Sequence, residues 1–246
     1  MGRGHPRRRD PPSRARRPAA GALALPLRGA VFDLGGVMTL PLFRRQRGAD
    51  QRTLSLLGCF LQEVAEVYAL PTGDHDLHLL ETGRLTEAEY FARLCDRHAA
   101  AGHPRMEPGD AREILFGRPM VASEAMIDAV RRVRAAGHRT ALLTNNAREW
   151  EATWRVLMPF DELFDVILDS SAVGLRKPDP AIYRLTCERL GLDPAECLFV
   201  DDLECNVVAA RALGMEALLC SDGPATAAEV LRRMLNGGGK QPPEAG

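Results

Sequence analysis

A carboxylate closes an apolar run early in the chain: Ala30, Val31 and Phe32 lead into Asp33, and Gly35 and Gly36 follow. This is the pattern expected where a buried strand leaves a sheet and its last side chain faces a crevice. Three later stretches also end in polar groups. Leu142 and Leu143 lead to Thr144 and Asn145, Arg176 and Lys177 precede Pro178, and Leu198, Phe199 and Val200 lead to Asp201 and Asp202. Such an assortment suits attack on phosphorus by a carboxylate. The repulsion between two anions must then be cancelled by a divalent cation and by positive or hydrogen-bonding groups around the phosphate. Asp33 is the expected nucleophile and also binds the metal through its other oxygen. Asp201 and Asp202 complete a hard oxygen shell suited to Mg²⁺. The Thr144 hydroxyl, the Asn145 amide and the turn amides after Asp33 hold the phosphate, and Lys177 neutralises nucleophile and phosphate together. Of 32 Lys and Arg only Lys177 and Lys240 are lysines, so the one lysine in the body of the chain is a candidate for a specific task.

The elements that must position these groups follow from periodicity. Gly29 to Asp33, Arg139 to Thr144, Phe164 to Leu168, Cys197 to Val200 and Ala217 to Cys220 read as strands. Between the later ones lie helices: Ser123 as cap through Ala136, Ala147 to Met158, Asp179 and Pro180 to Leu190, Cys205 to Leu213, and Thr226 to Leu235. From Pro41 to Val121 no comparable buried strand occurs. Helical stretches fill that block, at Leu54 to Val67, Asp76 to Glu81, and from the capping box of Thr86 and Glu89 to Ala101. Strands alternating with helices predict an α/β protein with a doubly wound parallel sheet, whose strand ends gather in one crevice. The expected division is 1–28 as a disordered basic tail, 29–40 and 122–236 as the core, 41–121 as an inserted helical cap, and 237–246 as a second loose tail.

Composition narrows the class. Residues 1–28 hold eight Arg against Asp10, which makes the tail +7 and leaves −8 for the rest of a chain of net charge −1. A basic nucleic-acid stripe on the folded part is not expected. No apolar run approaches the roughly 20 residues of a membrane span, and a hydrophobic fraction of 46% suits a soluble protein. Six cysteines at 59, 95, 187, 197, 205 and 220 form no Cys-x-x-Cys pair, which points to core thiols in a reducing compartment, the cytoplasm by default. Oligomeric state is not readable.

These motifs resemble the haloacid dehalogenase superfamily, whose pattern runs Asp-x-Asp-x-Thr/Val, Ser/Thr-Asn, Lys-Pro and Asp-Asp. Here the matching positions are Asp33, Gly35 and Val37, then Thr144 and Asn145, Lys177 and Pro178, and Asp201 and Asp202. The likeness covers about 29–236, with Asn206 included, and is greatest to the branch of the phosphatase-like N-terminal domain of soluble epoxide hydrolase and the glucose-1-phosphate phosphatase-like proteins. It implies a Rossmann-like core with an α-helical cap, Mg²⁺, and a small phosphorylated substrate. It also implies that the Gly35 carbonyl serves the metal and that Asp202 is the more direct carboxylate ligand. Gly35 departs from the pattern, because most phosphatase members carry there the Asp that protonates the leaving oxygen. General acid–base help is worth about 10²- to 10⁴-fold. Its loss leaves slow turnover, a good leaving group, a substitute elsewhere, or a domain that binds a phosphorylated ligand or a protein partner without chemistry. His75 and His78, beside Asp74 and Asp76, read as a proton relay, as a metal site or as a solvated polar loop before a helix, and Trp150 and Trp154 as a core face.

Overall fold

The computed structural model describes residues 25–41, 49–68, 70, 72–117 and 119–236. The N-terminal tail up to residue 24, the C-terminal tail and Lys240 lie outside the described residues. In chain order the elements are β1 (Gly29–Phe32), α1 (Gln51–Val67), α2 (Asp76–Glu81), α3 (Glu87–Ala100), α4 (Pro108–Phe116), α5 (Glu124–Ala135), β2 (Arg139–Thr144), α6 (Glu151–Trp154), α7 (Phe160–Leu163), β3 (Val166–Asp169), α8 (Ser170–Val173), α9 (Pro180–Leu190), β4 (Cys197–Asp201), α10 (Glu204–Ala212), β5 (Glu216–Leu219) and α11 (Gly223–Asn236).

The strands form one parallel sheet in the order β3-β2-β1-β4-β5. Alternation along each strand sends side chains to opposite faces. Ala30, Phe32, Leu142, Leu198 and Val200 pack on one face with α5 and α11. Val31, Ala141, Leu143 and Phe199 pack on the other with α9 and α10. The sheet is therefore covered on both sides, as a doubly wound α/β fold requires. β1 lies in the middle, paired with β2 and with β4. The strand order reverses on either side of it, so the end of β1 opens at the switch point where ligands of such sheets bind.

Helices α1 to α4 enclose a separate apolar cluster that includes Leu56, Leu80, Tyr90, Phe91 and Leu115. The chain leaves the sheet for these helices and returns side by side: Thr39 bridges Ala122, and the Leu40 amide donates to the Val121 carbonyl at 2.9 Å. Thr86 and Glu89 form the expected capping box on α3, and Asp179 caps α9 ahead of Pro180. Among the described residues no helix is long and apolar enough to cross a membrane.

Three expectations of local structure differ. Ser123 stands at the N-cap of α5 but its side chain makes no capping bond; its backbone amide instead donates to the Met38 carbonyl. Ala147 to Met158 is not one helix but a 3₁₀ turn at Arg148–Trp150 followed by the single turn of α6, and Pro159 just beyond cannot continue it. Helix α4 is additional. Its signal was Pro108 at the first helical position, obscured by the helix-weakening Gly109 beside it.

Candidate active site

Asp33 follows β1 directly, and its amide donates to the Val200 carbonyl at 2.9 Å, fastening it between β1 and β4. Lys177 arrives from the loop before α9 and is 1% exposed, an unusual burial for a lysine. Its Nζ lies 2.7 Å from Asp33 Oδ1 and 2.7 Å from Asp201 Oδ2, and it donates to the Leu143 carbonyl at 3.0 Å. One ammonium thus joins the ends of β1, β2 and β4. The four stretches singled out in the sequence converge there.

Asp201 is fully buried. Its Oδ1 accepts from the Leu203 amide at 2.9 Å and from Asn206 Nδ2 at 3.0 Å, while Oδ2 takes the lysine. Both oxygens are therefore engaged by protein donors. Asp202 is half-buried and sits against Gly36. At φ +75° Gly36 adopts a backbone that L side chains avoid, and a Cβ there would stand 2.1 Å from Asp202 Oδ2. A side chain at 36 would displace that carboxylate. Around Gly35 the space is open, with nothing within 4 Å of where a Cβ would be.

The cluster is short of positive charge, since three carboxylates face one ammonium. Burial pushes the Asp33 carboxyl up to about 8; Lys177 opposes the rise, and the charges of Asp201 and Asp202 add to it. Burial and the charge of Asp201 lift Asp202 to about 7. Burial also acts against the charge of Lys177, but Asp201 and Asp33 outweigh it and its pKa is raised. Asp33, Asp201 and Asp202 offer oxygens within 4.8 Å of one another. An all-oxygen, anionic donor set with excess negative charge fits a hard divalent cation such as Mg²⁺.

Thr144 ends β2, buried beside the cavity over Asp33. Asn145 also lines that cavity, but its amide is turned to another use. Its Oδ1 accepts from the Lys177 amide at 2.8 Å, and its Nδ2 donates to the Lys177 carbonyl at 2.9 Å. The side chain clamps the peptide that carries the lysine, where the sequence suggested a phosphate contact.

Residues the sequence reading did not select complete the site. Glu81 at the end of α2, 6% exposed, pairs through Oε2 with Arg176 Nε at 2.7 Å and receives Asn145 Nδ2 at 3.3 Å. Arg176 also donates to the Leu70 carbonyl at 3.0 Å and lies over the Tyr68 ring at 4.8 Å. Tyr68 lies close to Glu81 and accepts from Asn145 at 3.2 Å. Burial raises the Glu81 carboxyl, against the pull of Arg176, and raises the Tyr68 phenol further still, so that it keeps its proton. Glu81 was legible only as the end of a helix, because its partners are contributed by remote segments.

The cavity over Asp33 encloses about 270 Å³. Phe60, Leu61, Val64, Phe116 and Trp150 form apolar wall, and Glu81 and Tyr68 stand in it. Trp154 is core, as expected. Trp150 instead packs on Phe116 at 4.5 Å between ring centres and donates to Glu87 at 2.7 Å. His78 is buried on the Val67 carbonyl at 2.8 Å, neither solvated nor facing this cavity. His75 lines a different cleft with Glu63 and Arg97.

Comparison with known proteins agrees with this geometry. The chain is 28% identical over 208 residues to the bifunctional epoxide hydrolase 2 of Sus scrofa, a match covering 80% of this chain and 37% of that protein. It is 33% identical over 112 residues to the sesquiterpene phosphatase astK of Aspergillus oryzae, covering 43% and 54%. It shares its fold with the HAD family enzyme BT-2542 of Bacteroides thetaiotaomicron, solved with magnesium and inorganic phosphate, at a TM-score of 0.53 and 20% identity over 78% of this chain and 93% of that one. The chain thus spans well under half the length of the epoxide hydrolase. The family profile of the haloacid dehalogenase-like hydrolases matches residues 27–214, the span that holds every group of the strand-end cluster, and the chain belongs to that family.

Proposed function

We propose that this chain is a Mg²⁺-dependent phosphatase of small phosphate monoesters that works through a phosphoryl-Asp33 intermediate. The observation that carries the reading is Lys177, buried and equidistant at 2.7 Å from Asp33 and Asp201. An Asp33 oxygen attacks phosphorus as the bond to the alcohol breaks, and water then attacks the phosphorylated aspartate, releasing phosphate. Lys177 offsets the charge of the nucleophile and of the incoming phosphate. Asp201 holds Lys177, and Asn145 fixes the peptide that presents it. Thr144 and the turn amides after Asp33 face the phosphate. Asp33, Asp202 and the Gly35 carbonyl would hold Mg²⁺, with Asp201 beside them. When bound, the ion supplies charge neutralisation and a template for the phosphoryl oxygens. A haloacid dehalogenase attacks carbon and has no use for the excess of carboxylates found here.

The segment 41–121 acts as the cap that selects the substrate. Its apolar wall of Phe60, Leu61, Val64 and Phe116 suits an apolar alcohol half, and the relative named as a sesquiterpene phosphatase points the same way. Cysteines left as free thiols among the described residues suit a reducing compartment, so the proposed location is the cytoplasm.

Turnover of p-nitrophenyl phosphate with Mg²⁺ tests the reading. Asp33→Asn is expected to lower the rate by roughly 10³-fold, about 4 kcal/mol of barrier; equal rates in variant and wild type would overturn it. Gly35 favours a second reading, a binding domain without chemistry. In that case Mg²⁺ and phosphate raise the melting temperature while no member of a broad phosphate panel turns over.

A further inference from the structure

A glycine at position 35 leaves the leaving-group oxygen without the acid that its neighbours in the loop cannot supply. Apart from the metal-facing Asp33 and Asp202, the titratable side chains among the described residues lining the cavity are Glu81, Tyr68 and Arg112. Arg112 is committed to Glu87 at 2.6 Å. We propose that Glu81, carried by the cap, donates the proton to the departing alcohol and later takes one from the attacking water. This rests on the phosphatase reading.

Several features fit the role. Glu81 is buried yet borders the cavity that Asp33 also borders. Arg176 and Asn145 both meet Oε2, so neither donor takes Oε1. Asn145 joins Glu81 to the peptide of Lys177, whose ammonium touches Asp33, so the acid and the nucleophile share one frame. The groups facing Glu81 are Arg176, Lys177 and Tyr68, and burial raises its carboxyl against the pull of the two cations. The proton balance closes over one cycle. The Glu81 proton passes to the alkoxide oxygen as the phosphorus–oxygen bond of the ester breaks and the bond to Asp33 forms. The Glu81 carboxylate then removes a proton from water as the water oxygen bonds phosphorus and Asp33 is released.

A general acid is needed by a poor leaving group and hardly at all by a good one, which separates this role from a structural one. Hexyl phosphate and p-nitrophenyl phosphate are the two probes, assayed with wild type and Glu81→Gln in Mg²⁺. Glu81→Gln is expected to reduce kcat on hexyl phosphate at least about 30-fold more than on p-nitrophenyl phosphate, within the usual range for lost acid–base help. Adding Gly35→Asp to Glu81→Gln, for which the open space around Gly35 leaves room, is expected to restore hexyl phosphate turnover. An equal loss on both probes would overturn the proposal, as would no loss on either, or wild-type turnover of the aryl ester alone. Gly35→Asp in the otherwise unaltered chain gives an independent reading should Glu81→Gln fold poorly. A gain on hexyl phosphate under about 3-fold supports an acid already in place, whereas a gain of about 100-fold or more shows that none was acting. Loss of p-nitrophenyl phosphate turnover in Asp33→Asn reports on the phosphatase reading separately.

Discussion

Arg176 and Lys177 are adjacent in the chain, and each enters a buried group of acids, but the two groups are built to opposite rules. Arg176 meets one carboxylate, Glu81, with side-chain exposures of 2% and 8%. One acid stands against one cation there, and the pair joins α2 to the loop before α9. Lys177 meets Asp33 and Asp201, with Asp202 close by, so its cluster lacks positive charge. A balanced buried pair is a joint whose charges can be exchanged for apolar groups at small cost, whereas a cluster in deficit stays strained until a cation or a proton enters it. The difference separates a joint between α2 and the loop before α9 from the cluster proposed to handle phosphate.

The largest expected effect comes from Lys177→Met in metal-free protein. It leaves three carboxylates without their ammonium, and chemical denaturation is expected to show a loss of about 3–5 kcal/mol. Adding Asp33→Asn does not restore stability, because two carboxylates remain. Arg176→Met is expected to cost less, about 3 kcal/mol, through the stranded Glu81. Here the partner change does rescue: Glu81→Leu with Arg176→Met returns to within about 1 kcal/mol of wild type. Rescue of both clusters by single partner changes, or of neither, would erase the contrast.

The smallest effect is a slope. Folded-state pKa values of about 8 for Asp33 and about 7 for Asp202 lie above those of unfolded carboxyls. The folded protein therefore holds more protons, and the stability this contributes is complete below pH 4 and is lost as pH rises through 7 to 8. Melting temperature without metal is expected to fall over that range, less steeply in Asp202→Asn. The gain from Mg²⁺ is expected to be larger at pH 8 than at pH 5.5. A flat profile, or a gain independent of pH, would remove the charge deficit from the account.

How much of this was legible in the sequence follows the same division. The Lys177 cluster sits at strand ends, where an apolar run stopping at Asp33, Thr144 or Asp201 marks both the element and the direction of its last side chain. The fold was legible for the same reason. The Arg176 cluster was not, because Glu81 lies 95 residues away on a helix end where a carboxylate reads as solvated. Asn145 shows a finer limit. Its place on the cavity over Asp33 was readable, but nothing local says that its amide pairs with the Lys177 peptide, a contact across 32 residues. The role of Trp150 likewise depended on Phe116, which lies on the unforeseen α4.

The most direct test of the central claim is to quench one turnover with acid and weigh the peptide that contains Asp33. With Mg²⁺ and p-nitrophenyl phosphate, that peptide is expected to carry the mass of one phosphoryl group, and Asp33→Asn to carry none. A full equivalent of p-nitrophenol released while the Asp33 peptide carries no phosphoryl mass at any quench time would contradict the account.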